Sequence, residues 1–258
     1  MGKIIALANQ KGGVGKTTTA VNLSACLAEA GQTVLLVDFD PQGNATSGMG
    51  ISGSSASADG EGASVYDLIC GNCRPEECIV KDVLPGLDVM VSDMNLAGAE
   101  AEFQNIDDRN KKLRDGLSTI RRYYDFILID CPPSLGLITL NALTAADSVL
   151  LPVQCEYYAM EGLSQMLSTI QMVKQRTNPR LKCEGIVFTM FDQRTNLSQQ
   201  VVDSVREGLP GNVRFFETVI PRNVKLAEAP SFGKPIITYD NSSRGAESYR
   251  LLAAELLE

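Results

Sequence analysis

The chain of 258 residues lacks histidine and tryptophan altogether, and it has no long apolar run. A membrane span needs roughly 20 apolar residues, and no stretch of the sequence approaches that length. The apolar start at 4–8 is too short for a signal peptide and runs directly into charged Lys11. We therefore expect a soluble cytoplasmic protein without membrane attachment.

Seven cysteines are present, and an odd number without an export signal argues against a disulfide framework. Cys70, Cys73 and Cys78 form a C-x2-C-x4-C cluster that resembles a metal site. Because no histidine and no fourth nearby cysteine completes a set of four ligands, reduced thiols are favoured, with metal binding as the alternative.

Positive charge is scarce: the net charge is -8, which by itself argues against nucleic acid as a partner. The charge is nevertheless uneven. Residues 1–170 carry 11 Lys/Arg against 21 Asp/Glu, whereas residues 171–258 carry 12 against 10. A basic surface in the last third of the chain is therefore compatible with the acidic total.

Short apolar segments alternate with helical patterns along the whole chain. This alternation predicts one α/β domain over 1–258, with a single doubly wound, mostly parallel sheet and helices on both faces. Only 51–64, rich in Gly, Ser and Ala, is predicted to be a flexible surface loop. The predicted strands are 3–8, 33–37, 87–91, 126–129, 148–153 and 185–189, and the predicted helices are 16–30, 96–104, 107–122, 136–146, 160–177, 196–208 and 244–257.

The segment NQKGGVGKTTT at 9–19 lies between the first strand and the first helix, which is the context of a phosphate-binding loop. Its glycines let backbone amides and the helix N-terminus approach an anion. Lys16 is expected to reach the β- and γ-phosphates of ATP or ADP, and Thr17 to ligate Mg²⁺. The candidate nucleotide-binding residues here are Lys11, Gly12, Gly13, Val14, Gly15, Lys16, Thr17 and Thr18.

Three aspartates follow apolar strands and are therefore expected at the same edge of the sheet. Asp38 and Asp40 end the second strand, where a carboxylate can act on water or on a metal shell, although either can instead cap a helix. Asp130 ends an apolar strand in the form of a Walker B element, and we expect it to hold Mg²⁺ through water.

The loop departs from G-x-x-x-x-G-K-[ST], because Gln10 occupies the first glycine position and Lys11 is an additional lysine. It resembles the deviant Walker A ATPases, which read K-G-G-x-x-K-[ST]. Further segments narrow the resemblance to the ParA/Soj partition ATPases. These segments are VDFDPQGNATSGMG (37–50), NLAGAEAEF (95–103), DCPPSLGLITLNAL (130–143), TMFDQRTNLSQQV (189–201) and VIPRNVKLAEAPSFGKPI (219–236).

The resemblance implies an ATPase that forms an ATP-dependent homodimer, binds double-stranded DNA non-specifically on the nucleoid and is stimulated by a ParB-type partner. It implies that Lys11 reaches the nucleotide of the partner subunit and that Asp40 positions the attacking water. Lys11, Lys16 and Asp40 are thus the catalytic candidates. Pro221 and Asn223 are implied for the adenine pocket, and Arg194 and Arg222 for DNA contact, with ordinary surface ion pairs as the alternative for both arginines.

Three other functions remain open. A MinD-like membrane-associated ATPase requires a basic amphipathic C-terminal helix, whereas residues 250–258 read RLLAAELLE. A reductase similar to the nitrogenase iron protein requires cluster-ligating cysteines, and Cys131 alone does not form that pattern. A synthetase-type enzyme that transfers phosphate to a metabolite is distinguished by whether DNA or the metabolite stimulates ATP hydrolysis.

Overall fold

The computed structural model describes residues 1–52, 62–209, 211 and 213–258. Most of the predicted flexible loop, residues 53–61, lies outside the described residues. The seven strands are β1 (Lys3–Leu7), β2 (Val34–Asp38), β3 (Ile79–Leu84), β4 (Leu87–Met90), β5 (Phe126–Asp130), β6 (Ser148–Gln154) and β7 (Lys182–Thr189).

These strands form one sheet in the order β3-β4-β2-β5-β1-β6-β7. Every neighbouring pair is parallel except β3 and β4. Alternate residues of each strand enter two separate cores, with Ile4 and Ala6 on one face and Ile5 and Leu7 on the other. Buried, nearly continuous apolar strands of this kind need helices on both faces, so the predicted doubly wound sheet is confirmed.

β3 is the strand that the periodicity did not predict. Its sequence IVKDVL carries Lys81 and Asp82 in the middle, and Asp82 has φ 53° where the pairing with β4 shifts register. Charges and irregular pairing are tolerated at an edge strand because one side has no partner strand. A pattern search for buried strands therefore passes over it.

The α-helices include the long elements that the sequence predicted, with ends shifted by at most one residue. The predicted helices at 96–104 and 107–122 are instead divided into shorter α-helices and 3₁₀ segments, including the 3₁₀ segment Met94–Gly98. The helices are α1 (Lys16–Glu29), α2 (Asn44–Gly48), α3 (Val65–Cys70), α4 (Ala99–Glu102), α5 (Lys112–Ser118), α6 (Leu137–Ala145), α7 (Ala159–Arg176), α8 (Asn196–Gly208), α9 (Val224–Glu228), α10 (Ile236–Tyr239) and α11 (Arg244–Leu257).

Within the described ranges, no helix has the length and apolar character to cross a bilayer. Those residues also hold no group of three or more metal-ligating side chains. Cys70, Cys73 and Cys78 are free thiols near the end of α3 and the start of β3.

Candidate nucleotide and metal site

The loop between β1 and α1 has the backbone of an anion cradle. Gly13 and Gly15 have φ of 74° and 86°, a region that residues with a Cβ rarely adopt. Gly15 is the N-cap of α1 and supplies no side-chain cap, so the first-turn amides of α1 remain available to an anion. The predicted loop and helix start are therefore both in place.

Neighbouring strand ends hold this loop. The Thr189 hydroxyl at the end of β7 donates to the Val14 carbonyl at 2.8 Å. Asn9 donates its amide to the Pro152 carbonyl at 2.7 Å, and its side-chain oxygen accepts from the Lys11 amide at 3.0 Å. Three parallel strands thus fix the loop, which keeps its amides ordered before any ligand binds.

Lys16 is buried beside this loop, and its ammonium donates to the Lys11 carbonyl at 3.2 Å. Burial lowers the pKa of Lys16, and the carboxylates of Asp130 and Asp40 oppose that shift. A cation that lacks a full set of partners in an enclosed site is well suited to an anionic ligand. The cavity in front of it, of about 350 Å³, is lined by Gly12, Gly13, Gly15, Lys16, Thr17, Thr18, Asp40, Gln42, Asn44, Pro133 and Met190.

Asp130 has the features of a metal-site acid. It is fully buried at the end of β5, and both carboxylate oxygens lack a hydrogen-bond partner among the described residues. Burial, reinforced by the charge of Asp38, raises the pKa of Asp130 well above its usual range, and the nearby Thr17 hydroxyl opposes the shift. A buried carboxylate without partners beside a hydroxyl offers the hard oxygen donors that Mg²⁺ prefers, so the residues fit that ion.

Asp38 pairs in register with Asp130 on the adjacent strand but has a different environment. Its carboxylate accepts from both the amide and the hydroxyl of Thr46 at 2.7 Å. Burial raises the pKa of Asp38 to about 6, and the Thr46 hydrogen bonds oppose this rise. Thr46 is the third residue of α2, so Asp38 accepts from an amide in the first turn of that helix, whereas the N-cap residue itself is Gly43.

Asp40 lines the cavity, is 7% exposed, and accepts from the Gln42 amide at 3.0 Å. The acid is thus oriented by the turn that follows it and remains able to contact a molecule in the cavity.

The Lys11 side chain contacts an acid of its own chain, whereas the resemblance implied a role at the nucleotide of a second subunit. Its ammonium forms an ion pair with Glu156, in the loop after β6, and both side chains are partly exposed. Gln154 donates to the other carboxylate oxygen of Glu156. Sequence reasoning passed over Glu156, because nothing in the pattern brings residue 156 next to the loop.

Pro221 and Asn223 line a second cavity of about 260 Å³ next to Gly15 and Thr18. The structure therefore places both residues implied for the adenine pocket directly beside the phosphate loop. Met190 lines this cavity and the phosphate cavity, and it has φ 52°, a strained conformation for a residue with a Cβ. Its apolar side chain gave no signal in the sequence.

Arg194 and Arg222 come together at one surface depression of about 810 Å³, which Arg244 at the start of α11 also lines. Arg194 forms two hydrogen bonds with Asp192, at 2.9 and 2.8 Å, the ion-pair alternative that its sequence left open. Within the described part of the chain, neither Arg222 nor Arg244 lies within ion-pair distance of an acid. Arg244 is the member that the sequence did not indicate.

Comparison with known proteins identifies a family model and relatives that this chain resembles. A family model described as an AAA domain matches residues 2–183. The chain is 55% identical to the sporulation initiation inhibitor protein Soj of Bacillus subtilis, over 99% of this chain and 98% of that protein. It is 54% identical to the chromosome partitioning protein ParA of Myxococcus xanthus, over 100% of this chain and 89% of that protein.

Among solved structures, the chain is similar to cobyrinic acid a,c-diamide synthase from Mycobacterium smegmatis with bound ADP and magnesium. The two share 38% identity and a TM-score of 0.85, covering 100% of this chain and 94% of that one.

Proposed function

The chain belongs to the Soj/ParA family of chromosome-partitioning ATPases, and from this premise we propose that it is an ATP-driven switch for DNA segregation. Each subunit binds ATP and Mg²⁺, two subunits close face to face, and the dimer holds DNA non-specifically on the nucleoid. A ParB-type partner stimulates hydrolysis, which releases the dimer. The whole chain acts as one domain in this cycle.

The observation that carries the proposal is the buried pair of opposite charges behind an open glycine loop. Lys16 provides a desolvated cation, and Asp130 provides a carboxylate without partners. Lys16 and the loop amides would hold the phosphates of a bound nucleotide, and Asp130 and Thr17 would hold its Mg²⁺, so both buried groups would gain partners. Mg²⁺ supplies charge neutralisation of the phosphates when it is bound.

DNA retention measured with ATP, ADP or no nucleotide across a salt series tests the proposal. Retention should require ATP, and its logarithm should fall linearly with the logarithm of salt concentration, because phosphate contacts release counterions. Equal retention with ADP, or none in any state, would contradict a DNA-binding switch.

Replacing Arg194 and Arg222 together with alanine should reduce retention at least tenfold at low salt. Each lost phosphate contact should also lower the salt slope by about 0.9. ATP-dependent dimerisation should persist, because both side chains are exposed on the arginine-lined depression. Arg176 and Arg180, exposed residues elsewhere, provide a matched double variant with the same loss of charge. An unchanged slope in the Arg194/Arg222 variant would remove these residues from the DNA contact.

Glu156→Gln should tighten the ATP-dependent dimer by about two- to fivefold. Lys11 must leave Glu156 before it can reach a second subunit, and exposed ion pairs contribute about 0–1 kcal/mol. Sedimentation over a concentration series with ATP measures the effect, and Glu161→Gln, an exposed acid in α7, is the charge-matched control. A weaker dimer would show that Glu156 helps Lys11 in the closed state instead.

A metabolite-directed synthetase is the second candidate, because a synthase is 38% identical to this chain in the solved structure described above. The arginine-lined depression, which shares Pro221 and Asn223 with the second cavity, favours DNA binding. Stimulation of ATP hydrolysis by DNA supports partitioning, whereas stimulation only by a small carboxylic acid supports the synthetase. Binding to anionic liposomes with ATP would favour the MinD-like alternative over both.

A further inference from the structure

One surface segment, residues 92–100, connects the two loops that carry Asp40 and Asp130. This bridging segment begins two residues after the end of β4 and ends in α4. Leu96 and Ala99 are both fully buried and anchor it to the core. Neither end of the segment lines the phosphate cavity.

Ser92, at the start of the bridging segment, fixes the backbone around Asp40. Its buried hydroxyl donates to the Asp40 carbonyl at 2.8 Å. Its amide donates to the Thr46 hydroxyl at 3.2 Å, and that hydroxyl donates to Asp38 at 2.7 Å. The amide of Asp40 donates back to Asp38 at 3.3 Å, which closes a buried ring of hydrogen bonds.

Glu100, at the other end, holds the turn that follows Asp130. Its carboxylate accepts from the amide of Leu137, the first residue of α6, at 2.7 Å. The N-cap of α6 is Gly136, which has no side chain of its own to satisfy that helix end. A Cβ on Gly136 would lie 1.6 Å from the Glu100 carboxylate, so a side chain there must displace the contact.

We propose that the bridging segment sets the position of Asp40 relative to Asp130, with Ser92 and Glu100 as positioning residues for ATP hydrolysis. The inference rests on the proposed function. Loss of either residue should slow turnover, because Asp40 would no longer be held in place. ATP affinity should be retained, because neither residue lines the phosphate cavity. Asp40 is needed in the hydrolytic step, whereas the glycine loop and Lys16 hold the triphosphate.

The first test replaces Ser92 in the full chain. Ser92→Ala should lower turnover about three- to tenfold, the loss expected for one net hydrogen bond, with the ATP dissociation constant within twofold of wild type by calorimetry. Ser92→Thr keeps the hydroxyl and should recover most of the loss. Asn95→Ala changes an exposed residue within the segment whose side chain donates to Asp93, and it is the control.

The second test removes the hydrogen bond between Glu100 and the Leu137 amide in two ways, by replacing Glu100 and by replacing Gly136. Glu100→Ala and Gly136→Ala should each slow turnover by a similar factor, because both remove the same hydrogen bond. The double variant should be no slower than either single variant. Additive losses, or an equal loss of ATP affinity, would overturn the positioning role.

The outcomes separate the two claims. If Lys16→Ala abolishes ATP hydrolysis while Ser92→Ala hydrolyses ATP at the wild-type rate, the positioning inference fails and the proposed function stands. If the wild type has no turnover that depends on Lys16, the proposed function fails, and the positioning role fails with it.

Discussion

Replacing Asp40 with alanine should lower ATP turnover by about 100-fold or more and leave a long-lived ATP dimer. Asp40 lies at the phosphate cavity, and its carboxylate is held by the turn that follows it. A positioned base or water-orienting acid contributes about 10²- to 10⁴-fold to a rate. Nucleotide binding should persist, because Lys16 and the glycine loop do not depend on the Asp40 side chain for their position. Single-turnover hydrolysis and sedimentation with ATP measure the two halves of the prediction.

The control for this change is Asp40→Asn. Alanine removes both the charge and the acceptor for the Gln42 amide, whereas asparagine keeps an acceptor for that hydrogen bond. If the charge acts on water, asparagine and alanine should be similarly slow. Near-normal turnover in Asp40→Asn would mean that the residue only shapes the turn, and normal turnover in Asp40→Ala would remove it from the reaction.

The parts of the fold that the sequence predicted are those with strong local signals. β2 and β5 are apolar runs that end in aspartate, and β1 is an apolar run that leads into the glycine loop; each lies within one residue of the predicted bounds. The glycine loop could also be predicted from the sequence, because only glycine adopts φ 74° and 86° without strain. β3 was not predicted, and the helices predicted at 96–104 and 107–122 are divided into shorter segments, because these sequences mix charges with apolar residues at no fixed period.

The candidate site shows the same division. Lys16, Thr17 and Asp130 are encoded in contiguous motifs, so a single sequence indicates them. Ser92, Glu156 and Arg244 come near the other site residues only through the packing of distant segments; Glu156 lies 145 residues from Lys11. Residue spacing in the sequence cannot predict such a contact, because the order of the strands in the sheet brings the two segments together. The same applies to Met190, which joins two cavities only after β7 has packed beside β6.

Gly12→Val should bind ATP nearly as wild type yet fail to form the ATP dimer. A Cβ built on Gly12 would meet no atom of the residues that the structure describes, its two chain neighbours aside, within 4 Å, and Gly12 is not among the glycines with positive φ. The single subunit therefore tolerates a side chain there. In a twofold dimer each substitution occurs twice, and overpacking costs about 1–3 kcal/mol per site, so the dimer should weaken roughly 30-fold or more. Calorimetry for ATP and sedimentation with ATP provide the two measurements.

Gly13→Val is the control for this prediction, because it should impair ATP binding as well as dimerisation. Gly13 has equally open space but φ 74°, where a β-branched residue is strained. Its substitution should impair ATP binding itself, because the loop must change shape to accept the side chain. Gly12→Val should therefore separate binding from dimerisation, and Gly13→Val should not. A wild-type ATP dimer in Gly12→Val would mean that this glycine does not face the second subunit, and Lys11 beside it would then have no route to the partner's nucleotide.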